Sequence, residues 1–294
     1  MSKISRKQAI KTIAASAGAA AMSFDTFSNP MKADIETQTK LKGNINHSVC
    51  RWCYADIPFE DLCKAAAEIG IKSIDLTSTE EWPIMKKYGL ICAMPWGAQI
   101  SLDKGFNDTA NHDELYKRYE AQIPKVAAAG FTTLICFSGN RNGKSEEQGL
   151  VNCVAGLKRL MPIAEKYKVI LSMELLNSKV DHKDYQCDRT SWGVELCKRL
   201  GSEYFKLLYD IYHMQIMEGD VIRNIRDNIQ YINHFHTGGN PGRNEINETQ
   251  ELYYPAIMKA IVATGYKGFV AQEFIPTRKD KLESLREGIR ICDV

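Results

Sequence analysis

Between Lys206 and Gly219 the chain reads KLLYDIYHMQIMEG. Leu207, Leu208 and Tyr209 form an apolar run of strand character. The run stops at an acid, Asp210, and His213 follows three residues later. A strand buried on both faces has no place for either group, because an unpaired buried charge is costly. The carboxyl end of such a strand is different, since α/β enzymes keep their reactive side chains there. The stretch therefore predicts a buried strand that opens into a site, and it raises the question of how the other strands end.

The same strand-then-helix unit repeats along the chain. Ile45–Cys50 reads as a first strand, followed by a helix at Phe59–Ile69 that Gly70 caps. IKSIDLT, from Ile71, is the second strand, with a helix near Glu80–Tyr88. LICAMPW, Leu90–Trp96, is the third, with a long helix at about Asp113–Ala129. TTLICFSG, from Thr132, is the fourth, with a helix over Glu146–Tyr167. VILSMEL, from Val169, and a helix at Thr190–Leu200 form the fifth unit. FKLLYD and a helix near Val221–Asn228 form the sixth. YINHFHT, from Tyr231, and a helix at Glu251–Thr264 form the seventh. GFVAQEF, from Gly268, and a helix at Lys281–Ile291 form the eighth.

Strands that alternate with helices imply a parallel sheet. Eight such units in about 250 residues have the dimensions of a single-domain α/β fold, the closed (β/α)8 TIM barrel. An open doubly wound sheet is disfavoured. Gly238, Gly239 and Gly242 follow the seventh strand, but they miss the GxGxxG spacing and no helix follows at once.

The 294 residues are 44% hydrophobic and 25% charged, an ordinary globular balance, and the formal net charge is +2. No basic run supports nucleic-acid binding, and no apolar stretch reaches the ~18 residues of a membrane span. A homo-oligomer is left open. Residues 1–42 read as a leader and linker, with the barrel over 43–294. SRKQAIK (Ser5–Lys11) resembles a twin-arginine export signal with Lys7 in place of the second arginine, and small residues at Ala17–Ala21 offer a cleavage site. The expectation is export to the periplasm; otherwise the protein is cytoplasmic. Cys50 and Cys53 form a CRWC pair. It is read as two cysteines at the end of the first strand rather than as a zinc site, because no second pair completes four thiolates; a disulfide there stays open.

The barrel answers the question raised by Asp210. The fifth strand ends at Glu174 in SMELLN, the sixth at Asp210, the seventh at His236 in HFHTGG and the eighth at Glu273 in AQEF. Neighbouring strands converge around a barrel's mouth. Three carboxylates forced together repel unless a cation lies between them. Oxygen and imidazole donors without thiolate suit one divalent ion: Mn, Mg, Co or Zn. Taken singly, each residue has a plainer reading, such as a helix cap or a salt-bridge partner. Four successive strand ends of this kind carry the expectation.

These motifs resemble the xylose-isomerase-like TIM barrels, and within them the hydroxypyruvate isomerase branch. YDIYHMQIMEGD (Tyr209–Asp220), HFHTGGNPGRNEIN (His234–Asn247) and the acids of SMELLN and AQEF carry the resemblance, which covers Asn44–Val294. It implies that Glu174, Asp210, His236 and Glu273 bind the metal and that Glu174 and Glu273 also act as the acid–base pair. It further implies that His213 and Arg243 hold substrate oxygens. The implied activity is isomerisation of a sugar or small hydroxy-carbonyl acid through an enediolate. Histidine at position 236 resembles the ketose 3-epimerases instead, and the loop Asn177–Asp188 departs from the isomerase pattern. Trp96, after the third strand, has two readings, a wall for the sugar face or a plug of the barrel end. A repair nuclease sharing the barrel is disfavoured by only six histidines. A non-catalytic exported sugar-binding barrel is the remaining alternative.

Overall fold

The computed structural model describes residues 40–294. Of the expected leader and linker, all but residues 40–42 lie outside the described residues. Seven strands form one parallel sheet: β1 (Asn46–Cys50), β2 (Ser73–Asp75), β3 (Thr133–Cys136), β4 (Ile170–Glu174), β5 (Phe205–Asp210), β6 (Ile232–Thr237) and β7 (Phe269–Gln272). Their spatial order is β2-β1-β7-β6-β5-β4-β3. The first and last strands in the chain therefore pair, as barrel closure demands.

Between β2 and β3 the expected third strand, Leu90–Trp96, is not a regular strand. It makes a single bridge, Ser73 to Ile91. It still fills the eighth place in the ring. Ile74 N donates to Ile91 O at 3.0 Å and Leu76 N to Met94 O at 2.8 Å on one side, and Ile135 N donates to Pro95 O at 3.2 Å on the other. Pro95 has no N–H to offer a ladder, which is why a proline-bearing segment cannot pair regularly on two sides. The fold is the α/β barrel, with seven regular staves and one irregular one.

Ten α-helices accompany the described strands: α1 (Phe59–Ile69), α2 (Trp82–Lys87), α3 (His112–Ala128), α4 (Glu146–Lys158), α5 (Met161–Tyr167), α6 (Thr190–Leu200), α7 (Ile211–Met217), α8 (Val221–Asn228), α9 (Tyr254–Ala263) and α10 (Lys281–Cys292). Two differ from expectation. The helix predicted over Glu146–Tyr167 is broken into α4 and α5, where Pro162 stands in the first turn of α5; a proline is tolerated at a helix start and breaks an interior. The short α7 was not predicted. It begins directly at Asp210, whose Oδ1 accepts from His213 N at 3.0 Å and caps it.

The strands are buried almost throughout; β3, for example, has no exposed position. At the amino-terminal end of β1, His47 is buried 3.8 Å from Asp293. Asp293 in turn accepts from Lys42 N at 3.0 Å, which ties the start of the described chain to its end. All nine cysteines are free and buried, Cys50 at the end of β1 among them. Burial there suits thiols acting as small apolar groups. No helix among the described residues is long and apolar enough to cross a membrane.

Candidate active site and metal centre

Glu174 ends β4, Asp210 ends β5, His236 is the penultimate residue of β6, and Glu273 follows β7. Parallel pairing sets Asp210 directly beside His236. The four side chains are buried, and their candidate ligand atoms all lie within 4.8 Å of one another. The four residues singled out in the sequence thus meet at one point. His236 Nδ1 stands 2.9 Å from Glu273 Oε2 and 3.4 Å from Glu174 Oε1.

Arg243 comes from the loop after β6. Its Nη2 donates to Glu273 Oε2 at 2.8 Å and lies 3.8 Å from Asp210 Oδ2. Arg243 thus forms its ion pair with the acids of the cluster itself. Its guanidinium covers the rings of Trp52, at 5.1 Å, and Tyr212, at 5.5 Å. Arg243 adopts φ 60°, a left-handed conformation that side chains seldom take. Backbone bonds on both sides hold it there, Arg243 N to Gly239 O and Ile275 N to Arg243 O, each 2.7 Å. Strain of this kind, on the order of 1–3 kcal/mol, persists where the surroundings fix it.

The electrostatics are those of too many acids for the available cations. Burial, and then the charge of Glu273, push Asp210 well above the usual carboxylate range. Burial likewise raises Glu174. Glu273 is held low despite burial, because His236 and Arg243 face it. His236 is raised by its anionic neighbours although burial opposes its charge. His213, fully buried against the Arg243 charge, is pushed well below the ordinary imidazole value. Glu174 Oε1, Asp210 Oδ2 and His213 Nε2 are buried with no hydrogen-bond partner. Buried polar atoms are nearly always paired. Orphaned carboxylate oxygens converging with an imidazole form the donor set a divalent cation takes, so the residues fit one.

A cavity of about 410 Å³ opens onto this cluster, lined by Trp52, Leu76, Trp96, Leu102, Leu176 and His182 together with Glu174, Arg243 and Glu273. That volume lies within the range of small-molecule sites. Trp96 is a wall of the cavity, edge-on to Phe137 at 5.8 Å. His213 lies beside Asp210, with Nε2 3.8 Å from Oδ2.

Four residues at or beside the site were not singled out in the sequence. Trp52 lies between the paired cysteines after β1, and its Nε1 donates to Glu273 Oε1 at 2.8 Å. His182, in the loop after β4, packs its ring against His213 at 5.2 Å and has a buried, unpartnered Nε2; nothing in its loop sequence marks it. Asp75 ends β2, so the strand-end signal applied elsewhere points to it as well. It accepts from Ser48 Oγ at 2.7 Å, Ser73 Oγ at 2.8 Å and His234 Nε2 at 2.7 Å. Those bonds and the His234 charge hold it low against burial. His234 is two positions before His236 and shares its face of β6.

A model of the xylose isomerase-like TIM barrel matches residues 63–293. The chain belongs to that family. Among its relatives, a putative hydroxypyruvate isomerase from Homo sapiens is 24% identical over 240 residues, 80% of each chain. The hydroxypyruvate isomerase of Escherichia coli is 30% identical over 185 residues, 62% of this chain and 71% of that one. The crystal structure of an AP endonuclease, family 2, from Brucella melitensis superposes with a TM-score of 0.73 over 81% of this chain and 96% of that one, at 20% identity. That last likeness is one of fold alone.

Proposed function

We propose that the protein is a divalent-metal-dependent isomerase that moves a proton between neighbouring carbons of a sugar or small hydroxy-carbonyl acid. The observation that carries this reading is the buried meeting of Glu174, Asp210, His236 and Glu273, two of which, Glu174 and Glu273, line the cavity. The activity named for the relatives agrees with it.

Glu174, Asp210, His236 and Glu273 would hold the cation. When bound, such an ion supplies Lewis acidity that makes a C–H beside a carbonyl easier to remove and steadies the enediolate charge. The chain's own residues do the rest. Glu273, kept ionised by Arg243 and Trp52, takes the proton; Glu174, which holds a proton more tightly, gives one back. Delivery to the neighbouring carbon isomerises the substrate. Delivery to the opposite face of the same carbon epimerises it, the alternative suggested by the resemblance of His236 to the ketose 3-epimerases. Arg243 and His213 face the growing negative charge, while Trp52 and Trp96 offer the substrate aromatic walls.

The test is solvent deuterium uptake in heavy water, with metal content verified, across trioses to hexoses and hydroxypyruvate. Wild-type protein should place deuterium next to the carbonyl of its substrate. Glu174→Gln and Glu273→Gln, each still loaded with metal, should lose at least about 10²-fold of that exchange. Unchanged exchange in metal-loaded Glu273→Gln would sink the two-glutamate scheme. No exchange by wild type with any of these compounds would favour the sugar-binding alternative. Export is proposed on SRKQAIK and the alanine-rich stretch alone. Protein from the native host should begin beyond about Ala21, and an intact Met1 or Ser2 on cytoplasmic protein would exclude it.

A further inference from the structure

We propose that Asn177 is a positioning residue: it holds His213 in the one neutral tautomer that carries its proton on Nε2, so that the imidazole offers a fixed hydrogen-bond donor beside the acid cluster. The donor's use rests on the proton-transfer reading above; the tautomer does not.

Asn177 and His213 are both fully buried. The orientation of the Asn177 amide is set twice. Its Oδ1 accepts from Val180 N at 3.0 Å and from Asp181 N at 2.9 Å. Its Nδ2 faces Asp181 Oδ2 at 2.6 Å. A turned-over amide would aim N–H groups at two N–H donors and set its oxygen against a carboxylate. Tyr212 Oη donates to that same carboxylate oxygen at 2.9 Å, so Asp181 is itself fixed.

The remaining N–H of Asn177 points at His213 Nδ1, 2.6 Å away. An amide nitrogen only donates, so Nδ1 must accept. A ring nitrogen that accepts carries no proton, and in a neutral imidazole the proton is then on the other nitrogen. An imidazolium is excluded by the same contact, since it would turn Nδ1–H against an N–H. His213 Nε2 has no hydrogen-bond partner in the protein. The ring is packed between Tyr212, tilted at 5.1 Å, and His182, edge-on at 5.2 Å, which hold its direction. The result is a buried N–H of fixed direction beside the acid cluster, suited to an oxygen that gains negative charge.

Asn177 also closes its own loop through Oδ1, so a simple deletion would confuse the two roles. The variant Asn177→Asp with Asp181→Asn separates them. It keeps the acceptors for Val180 N and Asp181 N, restores one amide and one carboxylate to the pair, and turns an acceptor toward Nδ1.

The experiment uses full-length protein loaded with magnesium and labelled with ¹⁵N-histidine, His213 being assigned against His213→Asn. Wild type should show a protonated Nε2 and a bare Nδ1. The double variant should show the proton on Nδ1. Its kcat should fall about 10²-fold, as for loss of one oxyanion donor, with a much smaller change in KM. A wild-type proton on Nδ1 overturns the proposal whether or not the variant folds. A folded variant that moves the proton yet keeps kcat within about twofold overturns the catalytic use of the donor. If wild type shows Nε2–H but turns over no candidate substrate, the tautomer inference stands and the proposed reaction fails.

Discussion

Asp75 shows how a single side chain tunes a site it does not enter. Its carboxylate is fixed by two serines and His234, and its Oδ2 lies 3.9 Å from His236 Nε2, the nitrogen turned away from the acid cluster. Losing a hydrogen-bonded outer carboxylate typically costs a metal-binding imidazole 10–100-fold in affinity; Asp75 lies beyond hydrogen-bond distance of His236, whose Nε2 meets Cys50 Sγ at 3.7 Å, and acts on it through charge. Asp75→Asn should therefore weaken binding of a divalent ion by about 10-fold, the low end of that range, in titration calorimetry, with the four candidate ligands untouched. Affinity within about twofold of wild type would remove Asp75 from this role. The strand-end logic that found Glu174, Asp210, His236 and Glu273 applies equally to Asp75, so that residue was legible. His182 and Asn177 were not. Both act from a loop whose conformation is set by side-chain-to-backbone bonds, and such bonds leave no periodic trace in a sequence.

Asp210 does two jobs that its two oxygens divide. Oδ1 caps α7 and Oδ2 faces the cluster. Asp210→Asn keeps a capping oxygen and loses the charge; Asp210→Ala loses both. Both variants should lose stoichiometric metal binding, while in urea melts of metal-free protein the alanine form should be less stable than the asparagine form by about 1 kcal/mol. Equal stabilities would mean that the cap contributes nothing. Among the elements, β4 and β5 were readable because apolar runs bounded by polar residues leave few alternatives. Leu90–Trp96 misled for the same reason: its apolar content is real, and Pro95 is the one residue that forbids the ladder. The short α7 was hidden because a cap-driven turn of seven residues has too few positions to show a period.

The barrel is fastened where its ends meet, and that fastening should respond to acid. Burial pushes His47 down to about 4, with Asp293 only partly opposing this. A lowered imidazole contributes stability that is fully present above its unfolded value, near 6.5, and is lost as pH falls through 4. Between those limits the loss is up to about 3 kcal/mol. Urea melts at pH 7 and pH 4.5 should show a smaller difference for His47→Gln than for wild type; an unchanged difference would place the acid sensitivity elsewhere. The origin of the cavity's parts has a wider consequence. The four candidate ligands all come from the stretch between residues 174 and 273, whereas of the five apolar wall residues only Leu176 does; Trp52, Leu76, Trp96 and Leu102 come earlier in the chain. On the proposed reading, the ligands and most of the apolar wall are thus encoded in separate stretches, with Trp52 and Asp75 reaching the cluster from the earlier one. Drift at Leu76 and Leu102 would then change what the barrel accepts without disturbing how it reacts. Substituting Leu76 and Leu102 with smaller residues should reorder KM values among sugars while metal affinity stays put; a parallel loss of both would show that the two stretches do not act separately.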